Sequence, residues 1–171
     1  MQFNVDDFVV HPIHGVGHIV EIKEKRFSEI GAERLYYKIT LPRSTIWIPV
    51  EAQATIGLRS VTAKRDLDQY RNLLKSRPVP LHNDHPQRHV ELASRLKQGS
   101  FQMTCEIVRD LTAWGQRKPL KPLGVTDKAI LQKTRECLYQ EWGMAAGMSN
   151  TEAVKEVDTL LQASHQAYNI G

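Results

Sequence analysis

Apolar residues in this chain follow one spacing rule before residue 60 and another after it, and that change divides the fold in two. The early runs are short and rich in β-branched and aromatic residues: Phe8-Val9-Val10, His18 to Ile22, Leu35 to Thr40, and Ile46-Trp47-Ile48-Pro49-Val50. Pro12 and the Gly15-Val16-Gly17 stretch interrupt them, glycine supplying turn angles and proline removing a donor. Closely spaced short strands with such punctuation predict a small, strongly bent antiparallel barrel. The proline after Ile48 places its strand at an edge or ends it there, because a central strand needs that N–H.

Beyond Leu58-Arg59-Ser60 the period becomes helical. Leu67, Tyr70, Leu73 and Leu74 fall on one face of a first helix, which Pro78 and Pro80 stop. Asn83 or Asp84 caps a second, with Pro86 in its first turn, Val90, Leu92, Ala93 and Leu96 inside, and Gly99 closing it. Ser100 opens a third, with Ile107, Val108, Leu111 and Trp114 as its inner stripe. Thr126 opens a fourth, through Ile130, Leu131, Leu138 and Trp142 to about Gly147. Ser149-Asn150-Thr151-Glu152 has the capping-box pattern for a fifth, carrying Val154, Val157, Leu160 and Leu161. The fold class is therefore α+β: a β domain over residues 1–60 and an all-helical domain of about five helices over 65–171.

Charge follows the same division. Residues 1–60 are balanced, residues 61–135 carry +8 and residues 136–171 carry −4, within a net +4. A polyanion, where one binds, meets the basic middle. Arg88, Arg109, Arg117, Lys118 and Lys128 are candidate phosphate contacts, their affinity falling with salt as counterions are released. Trp114 and Trp142 continue apolar stripes and are expected in the core. No stretch approaches the ~20 apolar residues of a membrane span. The opening MQFNVDDFVV lacks a basic segment followed by an apolar run, which predicts a cytoplasmic protein. Cys105 and Cys137 lack metal-ligand spacing and read as reduced, buried thiols.

Catalytic patterns are absent from the sequence. Gly15-Val16-Gly17 is half a dinucleotide fingerprint with no helix after it, and neither a P-loop nor a G-x-S-x-G elbow occurs. Two histidine sets share the spacing H-x2-H-x3-H: His11, His14 and His18, and His82, His85 and His89. The first straddles two strands and a turn. In the second only His85 and His89 stand one helical turn apart, and no acidic residue has zinc-hydrolase spacing. Neither a metal, a cofactor nor an enzymatic activity is expected, with a histidine-ligated metalloenzyme as the remote alternative.

Phe8 to Ile19 resembles the opening of CarD-type bacterial transcription regulators, V-V-Y-P-x-H-G-x-G-x-I. Tyr36-Tyr37-x-Ile39, Ile46-x-Ile48-Pro49-Val50, Gly57-Leu58-Arg59, Leu96-x-x-Gly99 and Glu106 to Leu111 follow in that family's order, to about residue 145. The resemblance implies a Tudor-like barrel that binds the RNA polymerase β subunit along a strand edge, here Thr45, Ile46, Trp47 and Pro49, with Lys25 beside it. It also implies a helical domain on promoter DNA at the upstream edge of the bubble, stabilising the open complex. Two residues depart from the family. His85 stands where members commonly carry a Trp that wedges into the minor groove, and Trp47 stands where some carry an Arg. Trp47 reads equally as an interface anchor or a core residue of the barrel. DNA binding alone is expected to be weak and largely non-specific, and the chain to be a monomer. An adaptor that has lost its DNA contact is the alternative.

Overall fold

The structure, a computed structural model, describes residues 2–117 and 122–168. The chain divides into two compact units, Met1–Val61 and Thr62–Gly171.

In the first unit β1 (Phe8–His11), β2 (Gly15–Lys25), β3 (Arg34–Thr40), β4 (Thr45–Pro49) and β5 (Arg59–Ser60) form one antiparallel sheet in the order β4-β3-β2-β1-β5. A short helix α1 (Gln53–Ile56) precedes β5 and ends on Gly57, whose φ of 83° is left-handed. Phe3, Val9, Ile19, Tyr37, Ile39, Leu41, Ile48 and Leu58 make the core. The Tyr37 hydroxyl, fully buried, donates to Gln53 Oε1 at 2.7 Å, so its polar end is satisfied inside.

The turn between β1 and β2 does less breaking than the glycines suggest. Gly15 takes φ 76° and pairs with His11, and the strand then continues directly through Gly17. Gly17 is needed for space: a Cβ there would lie 2.4 Å from Ile39 Cγ2 and 3.0 Å from Leu41 Cδ2. Pairing of β2 with β3 slips between Ile19 and Glu21, a bulge that leaves Val20 over. One extra residue reverses the alternation. Gly15, Gly17 and Ile19 point inward before the bulge, and Ile22 packs against the core after it.

The second unit holds α2 (Leu67–Lys75), α3 (His85–Gln98), α4 (Phe101–Gly115), α5 (Val125–Ala146) and α6 (Asn150–Tyr168). Caps act as the local sequence demands. Asp84 accepts from the Gln87 N–H at 3.1 Å, Ser100 from Met103, and Ser149 and Glu152 cap each other reciprocally. α5 starts one residue before Thr126, with Gly124 as a cap that offers no side chain. Leu67, Leu74, Leu92, Ile107, Leu111, Leu138 and Trp142 lie in the core. The Trp142 indole, fully buried, donates to Glu156 at 3.0 Å.

α3 departs from its apolar pattern. Val90 is 72% exposed and Ala93 is exposed as well, whereas Arg88 and Leu92 are buried. Position 88 is one turn before Leu92 and therefore on the inner face. Arg88 occupies that face because a buried carboxylate waits for it.

Replacing Gly17 with Ala is expected to destabilise the β unit by about 1–3 kcal/mol, since the β3 side chains cannot withdraw without opening the core. A urea denaturation midpoint for Gly17→Ala equal to that of the wild type would show that the packing yields.

Candidate functional site

The β unit offers one solvent-facing surface of mixed chemistry. β4 is an outer strand of the sheet, and no other strand pairs its free edge among the described residues. Ile46 and Ile48 turn toward the core, so Thr45, Trp47 and Pro49 share the other face. That geometry places Trp47, half-buried, outside the barrel core. Lys25 Nζ sits 3.6 Å from the Trp47 ring centroid, a close cation–π contact, with Lys38 Nζ at 5.5 Å. Phe27, 59% exposed, meets Trp47 and Tyr36 edge-on at 6.3 and 4.9 Å. Glu21 holds Lys38 across the strands at 3.5 Å. Large rigid rings with a cation on top, beside unpaired backbone, suit recognition of another protein by strand addition.

The sequence points to Lys25 and Trp47 as candidates here, and the structure sets Phe27 and Tyr36 beside them. Phe27 belongs to a loop, where no periodicity marks it. Tyr36 was legible in principle, since its neighbour Tyr37 takes the inward position.

In the helical unit, the N-terminal turns of α3 and α5 and the C-terminal end of α4 converge on Asp127. This carboxylate is 1% exposed. Arg88 donates to its Oδ2 from Nε at 3.0 Å and Nη2 at 2.8 Å, and from Nη1 to the carbonyls of His82 and Asn83. The same guanidinium lies 5.5 Å from the Trp114 ring, and Arg117 covers that ring at 3.7 Å. Partial burial, and then the charge of Arg88, hold the Arg117 guanidinium below its ordinary pKa. Trp114 is thus only half-buried, flanked by two arginines, while Trp142 is wholly internal. His85 is exposed at the start of α3, its ring 4.2 Å from that of His89. Lys128 is exposed beside Asp127.

Four of the candidate DNA contacts, His85, Arg88, Arg117 and Lys128, therefore gather at one corner, but they are not equally available. Arg88 is 7% exposed and makes four hydrogen bonds, so its expected role as a free phosphate contact is corrected to a structural one. Arg109 is corrected likewise. It is 7% exposed, donates to Asp110 at 2.8 Å and to Ser76 at 2.8 Å, and lies away from this corner. Asp110 in turn binds Arg95 at 2.9 Å and the Val79 N–H at 3.0 Å. Counting cations could not separate these from surface charges, because their partners are up to 39 residues away. Lys118 lies outside the described residues. His85, Arg117 and Lys128 remain as candidate contacts.

Of the three histidines of the β unit, His11 and His14 bring their rings to 4.6 Å and His18 does not join them. His11 Nδ1 accepts from the N–H groups of Ile13 and His14, and burial, then His14, lowers its pKa. His18 instead stacks on Phe8 at 4.6 Å. Cys105 is buried, and burial raises the Cys137 thiol pKa, so Cys137 keeps its proton at neutral pH. Among the described residues no helix is long and apolar enough to cross a membrane.

The CarD-like/TRCF RID domain matches residues 3–62, and the CarD C-terminal domain matches residues 69–158. The chain belongs to the CarD family. The sheet of the β unit is accordingly the Tudor-like fold of the RID domain. A relative named "Putative transcription factor YdeB", from Bacillus subtilis (strain 168), is 26% identical over 151 residues. That alignment covers 88% of this chain and 97% of the relative.

The buried and exposed cations of this CarD-family chain should behave differently on truncation. Arg109→Ala leaves Asp110 with a lost partner in a dry site and is expected to cost roughly 3 kcal/mol. Lys128→Ala is expected to fall within about 0.5 kcal/mol of wild type. Urea denaturation of the two variants checks the distinction.

Proposed function

We propose that this chain is a non-enzymatic transcription regulator that binds the RNA polymerase β subunit through its β unit and promoter DNA through its helical unit. The observation that carries this reading is the free β4 edge with Trp47 held outside the core beneath Lys25, in a domain of RID type. Main-chain groups along Thr45–Pro49 supply hydrogen bonds to an added strand, and Trp47 and Lys25 supply the choice of partner. Ile46 acts through its backbone, its side chain being turned inward.

The corner of α3, α4 and α5 supports the DNA half. Exposed His85 and Lys128 and the Arg117–Trp114 stack present cationic and aromatic groups together. Such a surface meets the upstream edge of the transcription bubble through phosphate contacts, with His85 stacking on a base or sugar. Imidazole offers less apolar area than indole, so any wedge is weaker than in relatives with Trp. Stabilisation of the open complex then follows from linkage. The factor shifts the promoter equilibrium by its differential affinity for the melted state, and no chemistry occurs. The expected setting is the cytoplasm.

Loss of the Trp wedge, together with the burial of Arg88 and Arg109, favours a second reading: an adaptor that binds polymerase and no longer touches DNA.

Trp47→Ala is expected to weaken capture of the β subunit by roughly 30-fold or more, the effect of an interface anchor, and Lys25→Ala by several-fold, with the fold intact. Equal capture by wild type and both variants would place the contact elsewhere. Charge reversal at Lys128 separates the two DNA readings. On the DNA-contacting reading Lys128→Glu lowers open-complex lifetime and flattens the salt dependence of duplex binding. An unchanged lifetime supports the adaptor.

A further inference from the structure

We propose that His85, His89 and Asp127 form a binding site for one divalent transition-metal ion of the Zn2+ class. A potential ligand atom from each of the three lies within 4.8 Å of the other two. His89 Nε2 and Asp127 Oδ1 are shielded from solvent, and neither has a hydrogen-bond partner among the described residues. The two atoms face each other and form an ion pair only when His89 is protonated; with a neutral His89 both are left for a cation that binds the two together. Their separation is 3.4 Å. Ligands on a tetrahedron with ~2.1 Å bonds stand about 3.4 Å apart, so this pair already spans one tetrahedral edge.

The rest of the site follows from the helices. His85 and His89 are one turn apart on α3, and their rings, 4.2 Å apart and tilted by 38°, lie on the same side of the helix. His85 is exposed and free to swing its ring onto the ion. Asp127 cannot move, because Arg88 grips its Oδ2 with two N–H groups and leaves Oδ1 aimed at His89. That is the usual arrangement in which a second layer of hydrogen bonds orients a metal-ligating carboxylate. Two neutral imidazoles and one carboxylate suit Zn2+, and also Ni2+ or Cu2+, rather than the all-oxygen shells of Ca2+ or Mg2+. Three protein ligands leave a fourth position for water on the exposed side. The guanidinium on Oδ2 withdraws part of the carboxylate charge, which sets the affinity below that of a site lacking it. A bound ion ties the first turn of α3 to the first turn of α5.

Histidine spacing alone pointed to His82 as the third member of this set. His82 instead turns its Nδ1 to the Asp84 N–H at 3.1 Å and is not part of the cluster.

The full chain, stripped with chelator and dialysed, is titrated with Zn2+ by calorimetry and with Co2+ by visible absorption. One equivalent is expected to bind, with intense Co2+ d–d bands of tetrahedral type and a higher Tm in the presence of the ion. His85→Ala is expected to weaken binding by more than roughly tenfold, and His89→Ala to abolish it. His82→Ala and the double variant His11→Ala/His14→Ala are expected to bind as wild type does. Because His85 is on the surface, its variant tests ligation without threatening the fold, and circular dichroism confirms this for His89→Ala. Absence of Zn2+ binding by the wild type overturns the proposal, as does an affinity unchanged by His85→Ala and His89→Ala.

Discussion

The Asp127 carboxylate is an ion in a place that water does not reach, and the corner of the helical unit is organised to make that tolerable. Taking a lone carboxylate out of water costs several kcal/mol, so it must be met by a charge and by hydrogen bonds. Arg88 supplies both to one oxygen and donates from Nη1 to the carbonyls of His82 and Asn83. Those carbonyls belong to the chain leading into α3, which is thereby pinned where Asp84 caps the helix. The first turn of α5, where Asp127 lies, adds the favourable partial charge of a helix N-terminus. The Arg88 guanidinium also sets one side of Trp114, leaving the other to Arg117. One buried charge thus determines how α3, α4 and α5 meet, and which aromatic and cationic groups stay at the surface.

Such a pair explains what the sequence could and could not disclose. Signals confined to a few residues were legible: the capping box at Ser149, the Asp84 cap with Pro86, the glycine after α3, and β-branched runs separated by turns. The bulge at Val20 was half-visible, since Ile19 and Ile22 are both apolar and no unbroken alternation places both inside. β5 was missed because two residues are too few to show a period, and its pairing with β1 is a long-range event. The inner face of α3 was misassigned for a physical reason. Apolarity is a sound guide to burial only when no buried counter-charge is available, and Asp127 and Asp110 are buried counter-charges. Arg88 and Arg109 therefore read as surface cations and fold as core residues. The placement of Trp47 was open in the sequence, because a strand shows alternation without saying which face is wet. Its neighbours Ile46 and Ile48, packed on the core, decide it.

On the proposed function, the division of charge becomes a division of sensitivity. A sheet edge that docks through backbone hydrogen bonds and a Trp anchor depends little on ionic strength, whereas phosphate contacts weaken with every increment of salt. Only three candidate contacts remain at the cationic corner, and one of them is a His with less apolar surface than the indole it replaces. The protein–protein contact must then supply most of the affinity, and the DNA contact most of the discrimination between closed and melted promoter. A 30-fold preference for the melted state corresponds to about 2 kcal/mol, within reach of a stacked ring and a few charge contacts. Tethering makes this sufficient. Once the β unit is docked, the helical unit meets DNA at high local concentration, so a contact too weak to hold a duplex alone can still shift a promoter equilibrium.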